Sequence, residues 1–389
     1  MKNFIKKFMC LSLALGLVFI SCAAEESAVQ VDNDVSAQLI SAKSGILMEQ
    51  STGEVLYEMN PDERLQIASV TKTMTMLLIM EAIDSGKISL DDMVTTSEYA
   101  ASMGGSQVFL EVGEQMSVDD MLKAIAVASG NDAAVAMAEF VSGSESAFVE
   151  KMNERAAELG CINTHFINCN GLDETDEHYS TAKDIAIISR ELLKHSKIFD
   201  YTTIWMDSLR GGSFGLSNTN KLIRFYKGAN GLKTGSTSVA KYCLSATAER
   251  DGMQLIAVVL AAPSSAERFG SASKLLDYGF ANYALVSPEI TENAVPVKLG
   301  KADFVKAVPA EPIQILVDKA QKNQVQIQTV LEEQVSAPVS KGQKLGTLTI
   351  KVGEQTIKQV PLVAETGVER LTWVDLFWMV LRKIAMAKG

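Results

Sequence analysis

Apolar and polar positions alternate first between Leu39 and Met59. Two apolar stretches, Ala42–Met48 and Val55–Met59, flank Gln50-Ser51-Thr52-Gly53 and predict a β-hairpin. From Ser69 to Ala82 the pattern changes: Met74, Met76, Leu77, Leu78, Ile79 and Met80 are apolar on nearly every helical face. Such a helix belongs in the centre of a domain, and it is too short to span a bilayer. Helical periodicity continues through Met121–Ala128, Ala133–Val141, Glu145–Leu159 and Thr181–His195, the last with Ser180 as its candidate cap. Strand patterns return at Gly231–Ala248 and Met253–Ala261, joined by the turn Glu249-Arg250-Asp251-Gly252, and a helix follows over Ala266–Tyr278. Strands, a helical insertion, then strands and a closing helix predict one α+β domain over residues 30–285, its sheet built from both ends of the segment.

Beyond Leu285 the pattern shortens. Pro288, Pro296, Pro309, Pro312, Pro338 and Pro361 punctuate β-rich runs at Ile313–Val317, Val325–Thr329, Lys344–Val352 and Thr356–Val360. Residues 286–366 therefore read as a small all-β domain. The last segment, 367–389, carries a helical pattern from Leu371 to Ala387. Thr372, Asp375, Arg382 and Lys383 form a narrow polar face, and Trp373, Leu376, Phe377, Trp378, Val380, Leu381 and Ile384 cover the remainder. Its charges interrupt any run long enough to span a membrane. Two tryptophans on an amphipathic helix suit the membrane interface; the alternative is a helix packed back on the β domain.

At the other end, Lys2, Lys6 and Lys7 precede an apolar stretch from Phe8 to Ile20 and the small residues Ser21-Cys22-Ala23-Ala24. This is the layout of a secretory leader over residues 1–24, which implies export to the outer side of the cytoplasmic membrane. Phe19-Ile20-Ser21-Cys22 also resembles a lipidation signal, but cleavage after Ala23 or Ala24 fits better. Without the three leader lysines the net charge of −11 becomes about −14, which excludes nucleic acid as a partner because phosphate binding needs a basic surface. Cys161, Cys169 and Cys243 then remain, an odd number with no disulfide framework; Cys161 and Cys169 are a possible pair, and Cys243 lies in an apolar strand. His165, His178 and His195 lack metal-ligand spacing with the cysteines, so surface or capping roles and no metal or other cofactor are expected.

Candidate chemistry starts with a serine three residues before a lysine, which places both side chains on one helical face. That spacing occurs four times, at Ser69/Lys72, Ser180/Lys183, Ser238/Lys241 and Ser271/Lys274. Context selects Ser69. It opens the buried helix, where free backbone N–H groups favour a developing oxyanion. Burial would also make Lys72 a neutral base able to take the serine proton. Ser129-Gly130-Asn131 follows in a polar break between helices, and Lys233-Thr234-Gly235 begins a strand. Each is weak alone, and Ser129-Gly130-Asn131 taken singly is more often a helix cap. All three in this order form a specific signature.

With these motifs the chain resembles the serine penicillin-recognising enzymes, and among them the low-molecular-mass D-alanyl-D-alanine carboxypeptidases. The likeness runs from about Ala42 to the C-terminus, through Ile67-Ala68-Ser69-Val70-Thr71-Lys72, Ala128-Ser129-Gly130-Asn131-Asp132-Ala133, Asn170-Gly171-Leu172-Asp173, His178-Tyr179-Ser180-Thr181-Ala182 and Gly231-Leu232-Lys233-Thr234-Gly235. In the β domain, Ala337-Pro338-Val339 and Lys341-Gly342-Gln343 also match. The resemblance implies release of terminal D-Ala from peptidoglycan stem peptides through an acyl-enzyme on Ser69, with β-lactam antibiotics as covalent inhibitors. It implies Lys72 as base, Ser129 as proton relay, Asn131 as positioning group and Lys233 as a charge acting on Lys72 and on substrate. Thr234 and Arg268 would bind the terminal carboxylate, and the backbone N–H groups of Ser69 and Ser236 would form the oxyanion hole. A lone arginine on a helix is, however, more often a solvated surface charge. The sequence departs from the family pattern at Cys169, where proline is expected, and at Asn230, where aspartate is common. Two rivals remain: a β-lactamase, with Glu174 or Glu177 as deacylating base, and a non-catalytic penicillin-binding sensor or scaffold.

Overall fold

A computed structural model describes residues 39–386 except 173–174, 289 and 291–292. The expected leader with Cys22 and the rival base Glu174 lie outside the described residues. Strands β1 (Ser44–Glu49) and β2 (Val55–Met59) form the predicted hairpin. Helices α1 (Lys72–Asp84), α2 (Val118–Ala126), α3 (Asn131–Ser142), α4 (Glu145–Glu158) and α5 (Ala182–Leu192) make up the insertion. Strands β3 (Ala229–Thr237), β4 (Lys241–Arg250) and β5 (Met253–Ala262) lead into α6 (Ser265–Asn282). The sheet order is β2-β1-β5-β4-β3, so both ends of the segment meet where β1 pairs antiparallel with β5.

Successive side chains of a strand point to opposite faces, and both faces are covered. Ile46, Ile256, Val258 and Leu260 join the core of the helical insertion. Leu47, Leu255, Ala257 and Val259 pack against Ala272, Leu275 and Leu276 of α6. Burial on both faces explains why β5 reads as a continuous apolar run rather than an alternating one.

Three local expectations change. The single strand expected over Gly231–Ala248 is two strands, because the chain turns at residues 238–240, where the Ala240 N–H donates to Thr237 Oγ1 at 3.0 Å. The cap of α5 is Thr181, which accepts the Asp184 N–H, whereas the Ser180 backbone pairs with Leu65. Ser69 lies in a 3-10 turn, Ala68–Thr71, and the α-helix begins three residues later at Lys72.

The C-terminal part is all-β. Strands β6 (Tyr283–Val286), β7 (Ala294–Lys298), β8 (Phe304–Pro309), β9 (Ile315–Asp318), β10 (Val325–Leu331), β11 (Val335–Ser336), β12 (Lys344–Val352) and β13 (Gln355–Ala364) enclose a core of Val295, Val305, Leu345, Leu348, Ile350 and Leu362. The larger sheet has the order β10-β12-β13-β8-β7-β11, and β6 pairs with β9. Because β6 straddles positions 285 and 286, that pairing fastens the β region to the end of α6. Helix α7 (Trp373–Met386) follows, with Trp373, Phe377 and Trp378 exposed.

Candidate active site

The nucleophile turn is shaped by close backbone approaches. Ala68 has φ +48, a left-handed conformation that costs energy for a residue with a Cβ. Two glycines allow the neighbouring chain to press against it. A Cβ on Gly171 would enter the space of the Ala68 carbonyl. A Cβ on Gly235 would lie 2.6 Å from the Ile67 carbonyl oxygen and 2.9 Å from the Ser69 nitrogen. Gly235 belongs to β3, which pairs on one side only, so its free edge runs beside Ser69. Ser69 itself is half-buried and therefore reachable.

Lys72, on the first residue of α1, is fully buried. Its Nζ lies 3.0 Å from Ser69 Oγ, 2.5 Å from Asn131 Oδ1 and 2.8 Å from the Asn170 carbonyl oxygen. Burial disfavours the ammonium and brings its pKa down to about 7, against an opposing pull from Cys169 and Asp132. An amine with that affinity accepts a serine proton at neutral pH.

Asn131 opens α3 directly after the Ser129-Gly130 break. Its Nδ2 donates to the Gly104 carbonyl at 2.7 Å and its backbone N–H to the Ser106 carbonyl at 2.7 Å, which fixes the amide's orientation. Ser129 is buried and held at φ +64, an uncommon conformation for serine. The motif is therefore a strained junction between helices rather than a simple cap, since Gly130 occupies the N-cap position and makes no side-chain bond.

From the sheet side, Lys233 is almost fully buried and donates to the Thr234 carbonyl at 3.0 Å. Burial and the charges of Lys72 and Arg268 push its pKa well down. Thr234 Oγ1 donates to Thr219 Oγ1 at 2.7 Å, and Ser236 is exposed two residues further along the same strand. Arg268 is not a solvated surface charge. It is 7% exposed, with Nη1 donating to the carbonyls of Gly235 at 3.1 Å and Cys243 at 3.3 Å. Among the described residues its buried Nε has no hydrogen-bond partner. The structure thus gathers Ser69, Lys72, Asn131 and the edge of β3 into one site, with Arg268 directly behind Gly235.

Several supporting groups escaped the sequence reading. The Asn170 carbonyl completes the cradle of Lys72, a backbone contribution that residue types cannot reveal. His178 is buried rather than superficial. Its Nδ1 accepts the Ile167 N–H at 3.3 Å, so Nε2–H donates to Thr71 Oγ1 at 2.7 Å, and the threonine hydroxyl donates to the Ala68 carbonyl. Cys161, Cys169 and Cys243 are all buried free thiols, so the pair Cys161–Cys169 is not bridged. Both departures from the family pattern are built into the packing. The Cys169 N–H donates to Glu145 Oε1 at 3.0 Å, a bond that proline cannot make. Asn230 exchanges side-chain hydrogen bonds with Gln254 and accepts from Thr247.

A half-exposed serine against a buried, deprotonatable lysine, beside an open strand edge, is the arrangement of a serine acyl-enzyme hydrolase. The chain belongs to the D-alanyl-D-alanine carboxypeptidase family, whose model matches residues 31–264. A second model, the C-terminal domain of penicillin-binding protein 5, matches residues 280–370. D-alanyl-D-alanine carboxypeptidase DacF of Bacillus subtilis (strain 168) is 47% identical over 370 residues, covering 93% of this chain and 95% of that protein. DacC of Escherichia coli (strain K12) is 34% identical, covering 94% of each. Penicillin-binding protein 5 from Haemophilus influenzae superposes with a TM-score of 0.71 at 32% identity, covering 85% of this chain and 98% of that one. The protein is accordingly a serine-type D-Ala-D-Ala carboxypeptidase that binds penicillin and acts on peptidoglycan stem peptides.

Proposed function

We propose that Ser69 carries the acyl group and that Lys72 is the base that activates it. The observation supporting this most directly is the 3.0 Å approach of Lys72 Nζ to Ser69 Oγ at a lysine whose pKa is brought down to about 7. In the neutral amine, the nitrogen lone pair accepts the hydroxyl proton as Oγ attacks the carbonyl of the penultimate D-Ala. The C–N bond then breaks, the departing D-Ala amine takes up a proton through Ser129, and water releases the shortened stem peptide. Backbone N–H groups of Ser69 and Ser236 receive the oxyanion. The free edge of β3 suits an extended peptide laid along it. Thr234 and Arg268 bind the terminal carboxylate, Arg268 being held directly behind Gly235 by its Nη1 bond to that residue's carbonyl.

Incubation with a stem pentapeptide and with penicillin tests this reading. The expected result is D-Ala release together with a long-lived penicilloyl adduct, both lost in Ser69→Ala. Rapid penicillin turnover without D-Ala release would mark a β-lactamase, and an adduct without peptide turnover a sensor.

We further propose that residues 30–285 form the catalytic domain, that the β domain over 286–366 spaces it from the membrane, and that 367–389 anchors the exported chain at the outer membrane face. Exposed Trp373, Val374, Phe377 and Trp378 support interfacial binding. No helix among the described residues is long and apolar enough to cross a membrane.

A further inference from the structure

The loop held by Asn131 and Asp132 presents an aromatic surface that has no part in the chemistry above. Phe109 adopts φ +56, an unfavourable conformation for a residue of its size, yet its side chain is 68% exposed. Its backbone is clamped on both sides. The Asp132 carboxylate accepts the N–H groups of Val108 at 3.0 Å and Leu110 at 3.1 Å. The Arg210 guanidinium donates to the carbonyls of Val108 at 2.9 Å and Phe109 at 3.0 Å. Burial would ordinarily draw a phenyl ring inward; here the buried Asp132 and the half-buried Arg210 hold it out.

Phe214, from the hairpin of Met206–Leu209 and Phe214–Ser217, meets it edge to face with ring centroids 6.2 Å apart. The two rings line a cavity of about 620 Å³ together with Val112, Ser213, Glu111 and Arg210. Arg210 is already neutralised by a two-pronged pair with Glu114 at 2.7 and 3.0 Å. Glu111 lies exposed at the rim, where solvent screens its charge. The Arg210 guanidinium also lies over the Phe214 ring, 5.3 Å from its centroid, which leaves the exposed Phe109 ring and the outer side of Phe214 edged by hydroxyl and carboxylate acceptors. That surface is complementary to a neutral ring with apolar C–H faces and a hydroxyl edge.

We propose that this cavity is a saccharide subsite, holding a sugar ring of the glycan to which the stem peptide is joined. The proposal rests on Ser69 being the acylated residue. Asn131 links the two regions, with its side chain on Lys72 and its backbone N–H on Ser106, three residues before Phe109. The four stem residues up to the reacting carbonyl span ~14 Å when extended, so a sugar at their far end lies away from the nucleophile rather than against it.

The test compares kcat/KM for a free pentapeptide ending in D-Ala-D-Ala with that for the same peptide carried on its disaccharide. Phe109→Gly and Phe214→Ala are expected to lose roughly tenfold on the disaccharide substrate while staying within about twofold on the free peptide. Phe109→Trp should retain the difference. Because glycine tolerates φ +56, Phe109→Gly should unfold at a temperature no lower than the parent, which separates loss of a ligand surface from loss of structure. Equal losses on both substrates, or none on either, would overturn the proposal. Ser69→Ala serves as the separate control: turnover surviving that change would refute the catalytic reading instead.

Discussion

Nζ of Lys72 lies 2.5 Å from Oδ1 of Asn131, whose Nδ2 is committed to the Gly104 carbonyl. Because Nδ2 must donate, the oxygen is obliged to face the lysine. A neutral amide tolerates both charge states of Lys72. A carboxylate in its place would favour the ammonium and raise the lysine pKa above about 7. Asn131→Asp should therefore slow penicillin acylation at pH 7 by about tenfold or more, and the rising limb of the pH–rate profile should move to higher pH. A uniform loss at every pH, without displacement of that limb, would show that Asn131 acts otherwise.

The same lysine makes stability depend on pH. Its pKa falls from 10.5 in the unfolded chain to about 7 in the fold, so between those values the unfolded state binds more protons. Stability from this group must then rise with pH across that window. Relative to Lys72→Met, the parent should gain at most ~1.4 kcal/mol per pH unit between pH 7 and 9. Urea midpoints of the two proteins at three pH values measure this, and a constant difference would contradict it. The comparison is needed because burial raises the pKa of Cys161, Cys169 and Cys243, which acts in the opposite sense at alkaline pH.

Gly235 is predicted to be intolerant of even one methyl group. Alanine there would strike the Ile67 carbonyl and the backbone nitrogens of Ser69 and Val70. Displacing β3 from the turn should cost about 1–3 kcal/mol and lower acylation roughly a hundredfold or more through misplacement. Stopped-flow acylation and thermal unfolding report the two effects separately; near-parental acylation would show that the strand edge takes no part.

Arg268→Gln should discriminate between substrates. If the guanidinium holds the terminal carboxylate, kcat/KM for a D-Ala-D-Ala peptide should fall about tenfold or more. For an ester with a neutral alcohol leaving group the loss should be small. Similar losses on both would assign Arg268 to supporting Gly235 and Cys243 alone.

A chain ending at Gly367 should partition into the soluble fraction and keep its activity on free peptide. Membrane retention equal to that of the full chain would place the anchor elsewhere.

Much of the scaffold was legible. The β1–β2 hairpin, the buried helix after Ser69, the helical insertion and the strand Lys344–Val352 follow from periodicity, because each has an apolar pattern matched to its element. The turn at residues 238–240 was not legible, since it contains neither glycine nor proline. Within the all-β reading of 286–366, the strands Ala294–Lys298 and Phe304–Pro309 were not singled out; each is short and carries a proline, and their pairing with each other and of Phe304–Pro309 with β13 defines them. His178 looked like a surface group, and only the fold brings it beneath Thr71.

By itself the sequence determined the chemical inventory: a serine and lysine at helical spacing, two further motifs in order, and the apolar stripes that bring them together. It could not distinguish Ser69/Lys72 from Ser180/Lys183, Ser238/Lys241 or Ser271/Lys274 by spacing alone. Tertiary structure made that distinction physical. Only at Lys72 do the insertion, the Asn170 carbonyl and the edge of β3 close around the ammonium, and an amine becomes a base when water is withheld from its charged form.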